Sequence, residues 1–194
     1  MSAPSAPARA QPRRSAADVI RRLALQPHPE GGWYREIYRS RLQVHTSTGP
    51  RDACTDIYYL LERAQLSRWH VVDADETWHF YDGAPLQLHL YDPASGVLST
   101  RLLDRPGAGD EPAAPDGSAA YAEPAAVVPA GVWQAACSRG EFSLVGCSVA
   151  PAFQFSGFRF VADLPDHARH FRALPAAGSQ ASACPPLHAL RDLL

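Results

Sequence analysis

The chain has 194 residues, of which 46% are hydrophobic and 20% charged, a composition typical of a globular protein with its own core. Its 18 basic residues, all arginine, and 20 acidic residues give a formal net charge of -2. This balance argues against nucleic-acid binding, and the short apolar runs argue against a membrane span. The absence of lysine excludes Schiff-base chemistry and a phosphate-loop lysine. We therefore expect no nucleic-acid partner and no membrane partner.

The N-terminal part is predicted to be a tail followed by a helix. Residues 1–14 are rich in Ala, Pro, Ser and Arg and are predicted to be disordered. Ser15 is placed to cap a short amphipathic helix that ends before Pro27. No apolar stretch follows the arginines of the tail, so no secretory signal is predicted and a cytoplasmic location is expected.

Between Trp33 and Phe160 the sequence pattern changes to short runs of β-branched and aromatic residues separated by Gly, Pro and Asp. Such regular spacing without helical patterns is typical of an all-β sandwich or barrel. The predicted strands are 33–39, 54–61, 66–72, 76–82, 85–91, 97–103, 121–128, 131–137, 142–150 and 153–161. Residues 104–120 are predicted to be a surface loop or disordered insert. The C-terminal part, 163–194, is predicted to hold one helix, Asp166–Leu174, and a tail.

Two of the predicted strands, within 53–61 and 141–149, are apolar on both faces. In an antiparallel sheet, a strand of this kind needs a cover on each side. We expect the second sheet to cover the inner face, and a partner subunit or the N-terminal arm to cover the outer face. Because an exposed apolar sheet face favours self-association, the sequence predicts a homodimer.

The segment with the most chemically active side chains is 67–83, which is predicted to form a strand, a turn and a second strand. If His70 faces the interior, a period of two places Arg68 on the same face. After the turn, Glu76 and Trp78 share a face and the histidine between Trp78 and the next aromatic residue points away. This alternation predicts a pocket that contains an imidazole and a carboxylate.

A second segment, 127–137, is predicted to carry Gln134 on its inward face. If residues 138–141 form a hairpin turn, Cys147 faces inward beside this glutamine. There it could act as a nucleophile that lines the pocket, or it could be a small buried apolar residue. His89 alternates outward in its strand and is expected at the surface.

Two sets of residues together resemble the two-part signature of the cupin superfamily, H-x-(H)-x3-E-x6-G followed by P-x-G-x2-(H). The signature positions are occupied here by His70, Val72, Glu76, Gly83, Pro129, Gly131 and Gln134. The opening P-H-P-E-G-G-W-Y-R-E at 27–36 is similar to that of an uncharacterised single-domain cupin family that is compared with the dTDP-sugar epimerase (RmlC-like) branch. The resemblance covers about residues 20 to 162. It implies a double-stranded β-helix, or cupin jelly roll, over a domain of residues 15–162 with a short N-terminal helix and arm.

The sequence departs from the metal-binding pattern of that superfamily, which offers three histidines and one glutamate. Val72 and Gln134 stand where two of the histidines are expected. Valine cannot bind a metal, and glutamine is a weak oxygen ligand better suited to magnesium or calcium than to iron or zinc. No cofactor is therefore required. A divalent metal held by His70, Glu76 and Gln134 remains an alternative.

These residues suit acid–base chemistry on a small-molecule ligand. In an apolar barrel, His70 and Glu76 can act as catalytic acid and base that remove a proton from carbon and return it. We therefore expect a non-redox isomerase, epimerase or lyase that acts on a small polar, carbohydrate-like substrate. The alternatives are a non-catalytic ligand-binding or storage protein, and a metal-dependent enzyme with the reduced ligand set.

Four further residues are predicted to bind the substrate. If Arg68 points inward, it can hold a phosphate or carboxylate through two hydrogen bonds, whereas an outward Arg68 is only a solvated charge. Trp78 can form an aromatic wall. Gln134 and Cys147 complete this predicted set.

The roles of the arm residues remain open at this level. The pair Gly31–Gly32 predicts a turn that lays the N-terminal arm onto the barrel, and Glu30 either anchors that turn or reaches the mouth of the pocket. The role of His28 is likewise open. A phenol could come from a tyrosine at 58, 59 or 81.

Overall fold

The computed structural model describes residues 14–107 and 122–164. Most of the predicted N-terminal tail, most of the predicted insert and the predicted helix Asp166–Leu174 lie outside these residues. Within them, no helix is long and apolar enough to cross a membrane.

The first element is the helix α1, Ala16–Leu23. The Ser15 hydroxyl accepts a hydrogen bond from the Asp18 amide at 3.2 Å, so the predicted N-cap is confirmed. The apolar side of α1 packs with Leu60 and Leu144 on the outside of the barrel. The N-terminal segment therefore covers part of this outer face, and it is one of the two alternatives that the sequence offered for that cover.

Thirteen strands follow in the described residues. They are β1 Gln26–Pro27, β2 Trp33–Arg39, β3 Gln43–Thr46, β4 Gly49–Asp52, β5 Thr55–Glu62, β6 Leu66–Val72, β7 Asp75–Gly83, β8 Leu86–Asp92, β9 Val97–Leu103, β10 Ala125–Val128, β11 Trp133–Ser138, β12 Phe142–Ala150 and β13 Phe158–Phe160. All ten predicted strands are present, although the seventh and the tenth are shorter than predicted. The strands β1, β3 and β4 were not predicted, because each has only two to four residues.

The strands form two facing antiparallel sheets, which confirms the all-β jelly roll. One sheet has six strands in the order β1-β2-β5-β12-β7-β10, and the other has five in the order β13-β6-β11-β8-β9. The strands β3 and β4 form a separate hairpin. The inner faces of the two sheets bury one apolar cluster that includes Tyr59, Trp78 and Leu88.

The chain crosses between the sheets from β11 to β12, where the sequence suggested a local hairpin. Strand β11 pairs with β6 and β8, whereas β12 pairs with β5 and β7. The predicted hairpin through residues 138–141 is therefore wrong, because the chain there crosses from one sheet to the other. Cys147 nevertheless faces the interior, since it stands beside Trp78 on β7 and Ile57 on β5.

A β-bulge interrupts β6 next to its most reactive residue. Gln134 pairs with His70 and Ala136 pairs with Ser67, so two residues of β6 stand opposite one residue of β11. A bulge reverses the alternation of side chains beyond it. Ser67 and His70 are therefore both buried, at 0% and 2% exposure, and Arg68 faces outward. The prediction that Arg68 shares the inner face with His70 is wrong for this reason.

The expectation that His89 lies at the surface is also wrong. Its side chain is 3% exposed, and its Nδ1 lies 3.0 Å from the Thr100 hydroxyl. Val161, which follows the last strand, packs with Trp69 on this outer face of the five-stranded sheet. Burial lowers the pKa of His89 to about 4.

Candidate functional site

A cavity of about 180 Å³ opens at one end of the sandwich. Its lining comes from both sheets and from the N-terminal arm. His28 and Glu30 belong to the arm, His70 to β6, Glu76 to β7 and Cys147 to β12. The structure therefore brings the predicted imidazole and carboxylate into one cavity and adds a second carboxylate.

Two glycines let the arm lie directly on the barrel. Gly31 and Gly32 have φ angles of +114° and +69°, which side-chain-bearing residues rarely adopt. A Cβ atom at either position would collide with a backbone carbonyl, of Leu66 or of Leu60. The predicted turn is confirmed, and the His28 amide closes it with a hydrogen bond of 3.0 Å to the Gly32 carbonyl.

The bulge in β6 fixes the arm in place. The Arg68 amide donates to the Glu30 carbonyl at 3.0 Å, and its guanidinium donates to the Pro29 carbonyl at 2.7 Å. The same guanidinium lies over the Phe160 ring, 4.2 Å from its centre. Arg68 is not among the residues that line the cavity. Its contacts hold the segment that carries Glu30.

His70 and Glu30 form a buried imidazole–carboxylate pair. His70 Nδ1 lies 2.7 Å from the Arg68 carbonyl, which can only accept, so Nδ1 carries a hydrogen. His70 Nε2 lies 3.5 Å from Glu30 Oε2. An unprotonated Nε2 and a carboxylate are both acceptors, so a proton must lie on one of them for the contact to be attractive. The Ser67 hydroxyl fixes the other carboxylate oxygen, donating to Oε1 at 3.1 Å.

His28 lies on the other side of the Glu30 carboxylate. Its Nδ1 accepts a hydrogen bond of 3.3 Å from the Glu30 amide and lies 3.7 Å from Oε2. Burial lowers the pKa of His28, while the Glu30 charge opposes that shift. The ring also contacts Tyr34 edge-to-face, with the centroids 4.4 Å apart. As a neutral imidazole, His28 thus holds the backbone of Glu30 through its Nδ1.

The phenol that lines the cavity belongs to Tyr34, which the sequence analysis did not consider. Tyr59 is fully buried and donates to the Gly31 carbonyl at 2.8 Å. Tyr58 and Tyr81 contact each other edge-to-face with centroids 6.1 Å apart, and neither lines the cavity. The sequence did not indicate Tyr34 as a cavity residue, because its position depends on how β2 packs against the arm.

Glu76 is oriented by a chain of hydrogen bonds behind it. The Trp78 indole donates to Gln134 Oε1 at 2.9 Å, and Gln134 Nε2 donates to Glu76 Oε2 at 2.6 Å. Because an indole can only donate, the amide orientation is fixed with its NH₂ group towards the carboxylate. Neither Trp78 nor Gln134 is among the residues that line the cavity. Their contacts position Glu76.

The environment of Glu76 favours its protonated form. Burial raises the pKa of Glu76, and the nearby Glu30 carboxylate raises it further. His70 and the hydrogen bond from Gln134 act in the opposite direction. The net effect is an increase, which makes Glu76 a stronger base than an ordinary glutamate when it is ionised.

Burial raises the pKa of the Cys147 thiol well above its ordinary value, and the charges of Glu76 and Glu30 add to this effect. A thiolate is the reactive form of cysteine, so this environment does not activate Cys147 as a nucleophile. Its free thiol lines the cavity beside Glu76.

The donor set expected from the superfamily pattern does not fit a metal ion. The oxygen of Gln134 already accepts from Trp78, and its NH₂ group, which cannot bind a metal, faces Glu76. Val72 lines the cavity where the pattern has a histidine. In the described part of the chain, no group of three or more His, Cys, Asp or Glu residues is arranged to hold a metal ion.

Aromatic rings and one ion pair form the cavity mouth. Phe153, Phe155 and Phe158 contact one another edge-to-face, with centroids 5.0 to 6.4 Å apart. Arg39 donates to both carboxylate oxygens of Glu36, at 3.1 and 2.8 Å. The three phenylalanines were not predicted to line a cavity, because residues 153–161 were predicted to form a single strand.

Comparison with known families and structures identifies several relatives. The family model described as Cupin superfamily (DUF985) matches residues 17–161. A protein of known structure from Shewanella oneidensis is 34% identical, with a TM-score of 0.64 over 79% of this chain and 92% of that one. A hypothetical protein from Leishmania major is 29% identical, with a TM-score of 0.65 over 79% of this chain and 94% of that one. No curated protein matches the chain.

A more distant similarity concerns the fold alone. Oxalate decarboxylase from Bacillus subtilis is 13% identical, with a TM-score of 0.50 over 76% of this chain and 33% of that one. At this identity, the similarity supports the jelly-roll architecture and says nothing of the reaction.

Proposed function

This chain belongs to the DUF985 family of the cupin superfamily, and we propose that it is a non-redox acid–base enzyme that isomerises, epimerises or eliminates from a small polar, carbohydrate-like substrate. The observation that carries this proposal is the buried Glu30–His70 pair, with Oε2 and Nε2 3.5 Å apart, in the same cavity as Glu76. Pairs of ionisable groups whose environments hold their protons differently are typical of acid–base catalysis.

In the proposed reaction, each group has a separate task. Glu76, as a carboxylate, removes a proton from a carbon atom of the substrate. His70, as an imidazolium, donates its proton to the substrate oxygen that becomes negative, and Glu30 stabilises the imidazolium. Return of the proton from Glu76 to carbon completes an isomerisation or epimerisation. In an elimination, His70 instead gives its proton to a hydroxyl group on the neighbouring carbon, which leaves as water when its C–O bond breaks.

The experiment that tests this proposal is deuterium exchange. A panel of reducing sugars and related hydroxy-carbonyl compounds is incubated with the protein in D₂O, and NMR detects deuterium at carbon. We expect exchange with at least one compound, and a decrease of about 10²-fold or more in Glu76→Gln and Glu30→Gln. Glu123→Gln is the matched control, because Glu123 is exposed and forms only a 3.7 Å ion pair with Arg101.

Exchange that survives in Glu76→Gln contradicts the assigned role of that residue. Absence of exchange with every compound contradicts the enzyme proposal. If a compound binds without exchange, the protein is the non-catalytic binding module that the sequence left open.

We also propose that the protein forms a homodimer through the outer face of the six-stranded sheet. Tyr38 and Tyr81 are 51% and 48% exposed on β2 and β7. Arg35 and Asp56 provide opposite charges on the same sheet, which a two-fold axis can pair. Light scattering should give a dimer for the wild type and a monomer for Tyr81→Glu, with Val97→Glu as the control on the other sheet. A monomeric wild type contradicts the proposal.

The cytoplasmic location stays a prediction.

A further inference from the structure

We propose that the cavity selects an uncharged, hydroxyl-rich ligand of about monosaccharide size and rejects the phosphorylated or nucleotide-linked forms of the same compound. This inference rests on the proposed function, because it takes the same cavity as the ligand site. Three properties of the described residues support it: the engagement of the nearby arginines, the carboxylates of the lining, and the size of the space.

The arginines near the cavity already have partners. Among the described residues, Arg39 is the one arginine that lines the cavity, and it donates to both oxygens of Glu36. Arg68 donates to the Pro29 carbonyl, and Arg51, which is 5% exposed, donates to Asp73 at 2.9 Å. Phosphate recognition generally uses a bidentate arginine, a lysine or a helix N-terminus. The chain has no lysine, so in the described part of the chain an anion in the cavity meets no arginine or lysine that lacks a carboxylate or carbonyl partner.

The carboxylates of the lining repel an anion and attract hydroxyl groups. Glu30 and Glu76 lie deep in the cavity, at 6% and 7% exposure, and Glu36 lies at its mouth. A phosphate placed between them would add negative charge where the dielectric screening is weak. A ligand hydroxyl instead donates a hydrogen bond to a carboxylate at no electrostatic cost.

The size and the walls of the cavity limit the ligand to a single ring. Its volume of about 180 Å³ is below the roughly 300–1,000 Å³ of pockets that hold drug-sized molecules. A nucleotide-linked sugar would need additional space outside the mouth, where Phe155 is 60% exposed. The rings of Phe153 and Phe158 provide apolar walls that can cover the C–H face of a sugar.

The test measures binding of matched pairs of probes. D-glucose, D-mannose and D-galactose are compared with their 6-phosphates, and D-glucose also with UDP-glucose, by saturation-transfer difference NMR. We expect at least one neutral sugar to bind and its charged counterpart to bind at least tenfold more weakly. In Glu36→Gln, the released Arg39 should reduce this discrimination at least threefold, because Arg39 then lacks the carboxylate that accepts two of its hydrogen bonds. Glu123→Gln, an exposed acid elsewhere, should not change the discrimination.

Equal or tighter binding of the phosphorylated member overturns the inference, as does the absence of binding by all three neutral sugars. The binding test is independent of turnover. A neutral sugar that binds without deuterium exchange supports the inference and contradicts the enzyme proposal. Exchange that occurs only with a phosphorylated sugar supports the enzyme proposal and contradicts the inference.

Discussion

The interior of the barrel has two unlike halves that are built from the same strands. In β5, Thr55 and Ile57 line the cavity, whereas Tyr59 and Leu61 are fully buried in the apolar cluster. In β7, Glu76 lies in the cavity half and the inward side chains after it are aromatic. We call the half with the apolar cluster the closed half and the half with the cavity the cavity half. Burial of apolar surface in the closed half stabilises a fold whose cavity half holds several polar groups.

Trp78 and Gln134 mark the boundary between these halves. The Trp78 ring packs in the apolar cluster, while its N–H group reaches Gln134 and, through it, Glu76. Trp78 Nε1, both polar atoms of the Gln134 amide and Glu76 Oε2 are therefore hydrogen-bonded, as buried polar groups require. These bonds connect the two halves.

A cavity made in the closed half should have the largest effect on stability. Leu88 is fully buried in the apolar cluster, so Leu88→Ala should lower the free energy of unfolding by about 2–5 kcal/mol. Denaturant unfolding measures the change. Val127→Ala is the control, because Val127 is 58% exposed and its truncation should cost about 0.5 kcal/mol or less. A cost below 1 kcal/mol for Leu88→Ala would mean that this half is not the stabilising one.

The cavity half should show the opposite behaviour, with a polar group that lowers stability. The folded-state pKa of Glu76 is raised above its ordinary 4.5. Below pH 4.5 the group is protonated in both states, and above it the unfolded chain releases its proton first. Wild-type stability should therefore fall relative to Glu76→Gln as the pH rises above 4.5, by at most about 1.4 kcal/mol per pH unit.

Urea unfolding of both proteins from pH 4 to pH 8 measures this difference. His89 also titrates in the acid range, but it is present in both proteins, so its effect cancels. A difference that does not change with pH would show that the pKa of Glu76 is not raised.

Local patterns were sufficient to predict most of the closed half. The alternation of Glu76, Trp78 and Phe80 along β7 follows from the period of a strand, and the observed burial agrees with it. Ser15 as a helix cap likewise depends only on residues within one turn. These features need no information from distant parts of the chain.

The arrangement of the cavity half depends on contacts between distant residues, so the sequence did not reveal it. The bulge at Arg68 exists only relative to the register of β11, and no pattern within β6 indicates it. Gly31–Gly32 predicted a turn, but the residue that meets Glu30 is set by the packing of the arm on β6. The sequence thus identified His70 and Glu76 and left the position of Glu30 open.

A substitution of Ser67 tests whether the bulge in β6 is needed for the arrangement of the cavity half. It is fully buried and donates to Glu30 Oε1 at 3.1 Å. Ser67→Ala leaves a buried carboxylate oxygen without this donor, so the free energy of unfolding should fall by about 1–3 kcal/mol. Ser143→Ala is the matched control, since Ser143 is equally buried but its hydroxyl bonds the Ala84 carbonyl at 2.6 Å, away from the cavity.

NMR of the His70 ring distinguishes the two serine variants. Without the Ser67 donor, the Glu30 carboxylate that lies 3.5 Å from His70 Nε2 loses the group that fixes its other oxygen. The chemical shifts of the His70 ring should therefore change in Ser67→Ala and remain unchanged in Ser143→Ala. Identical His70 shifts in Ser67→Ala and the wild type would separate the serine from the Glu30–His70 pair.

Arg68 should give the smallest change in stability and a specific change in the arm. Arg68→Ala removes the hydrogen bond to the Pro29 carbonyl and the contact with Phe160, at a cost of about 1 kcal/mol. Because Arg68 holds the arm from outside, the amides of the arm turn should exchange with solvent faster, while those of the closed half should not. Arg101→Ala, which removes an exposed ion pair of 3.7 Å, is the control and should alter neither. If exchange in the arm of Arg68→Ala is unchanged, the two glycines and Ser67 suffice to hold Glu30 beside His70. The cavity half would then be more rigid than its polar composition indicates.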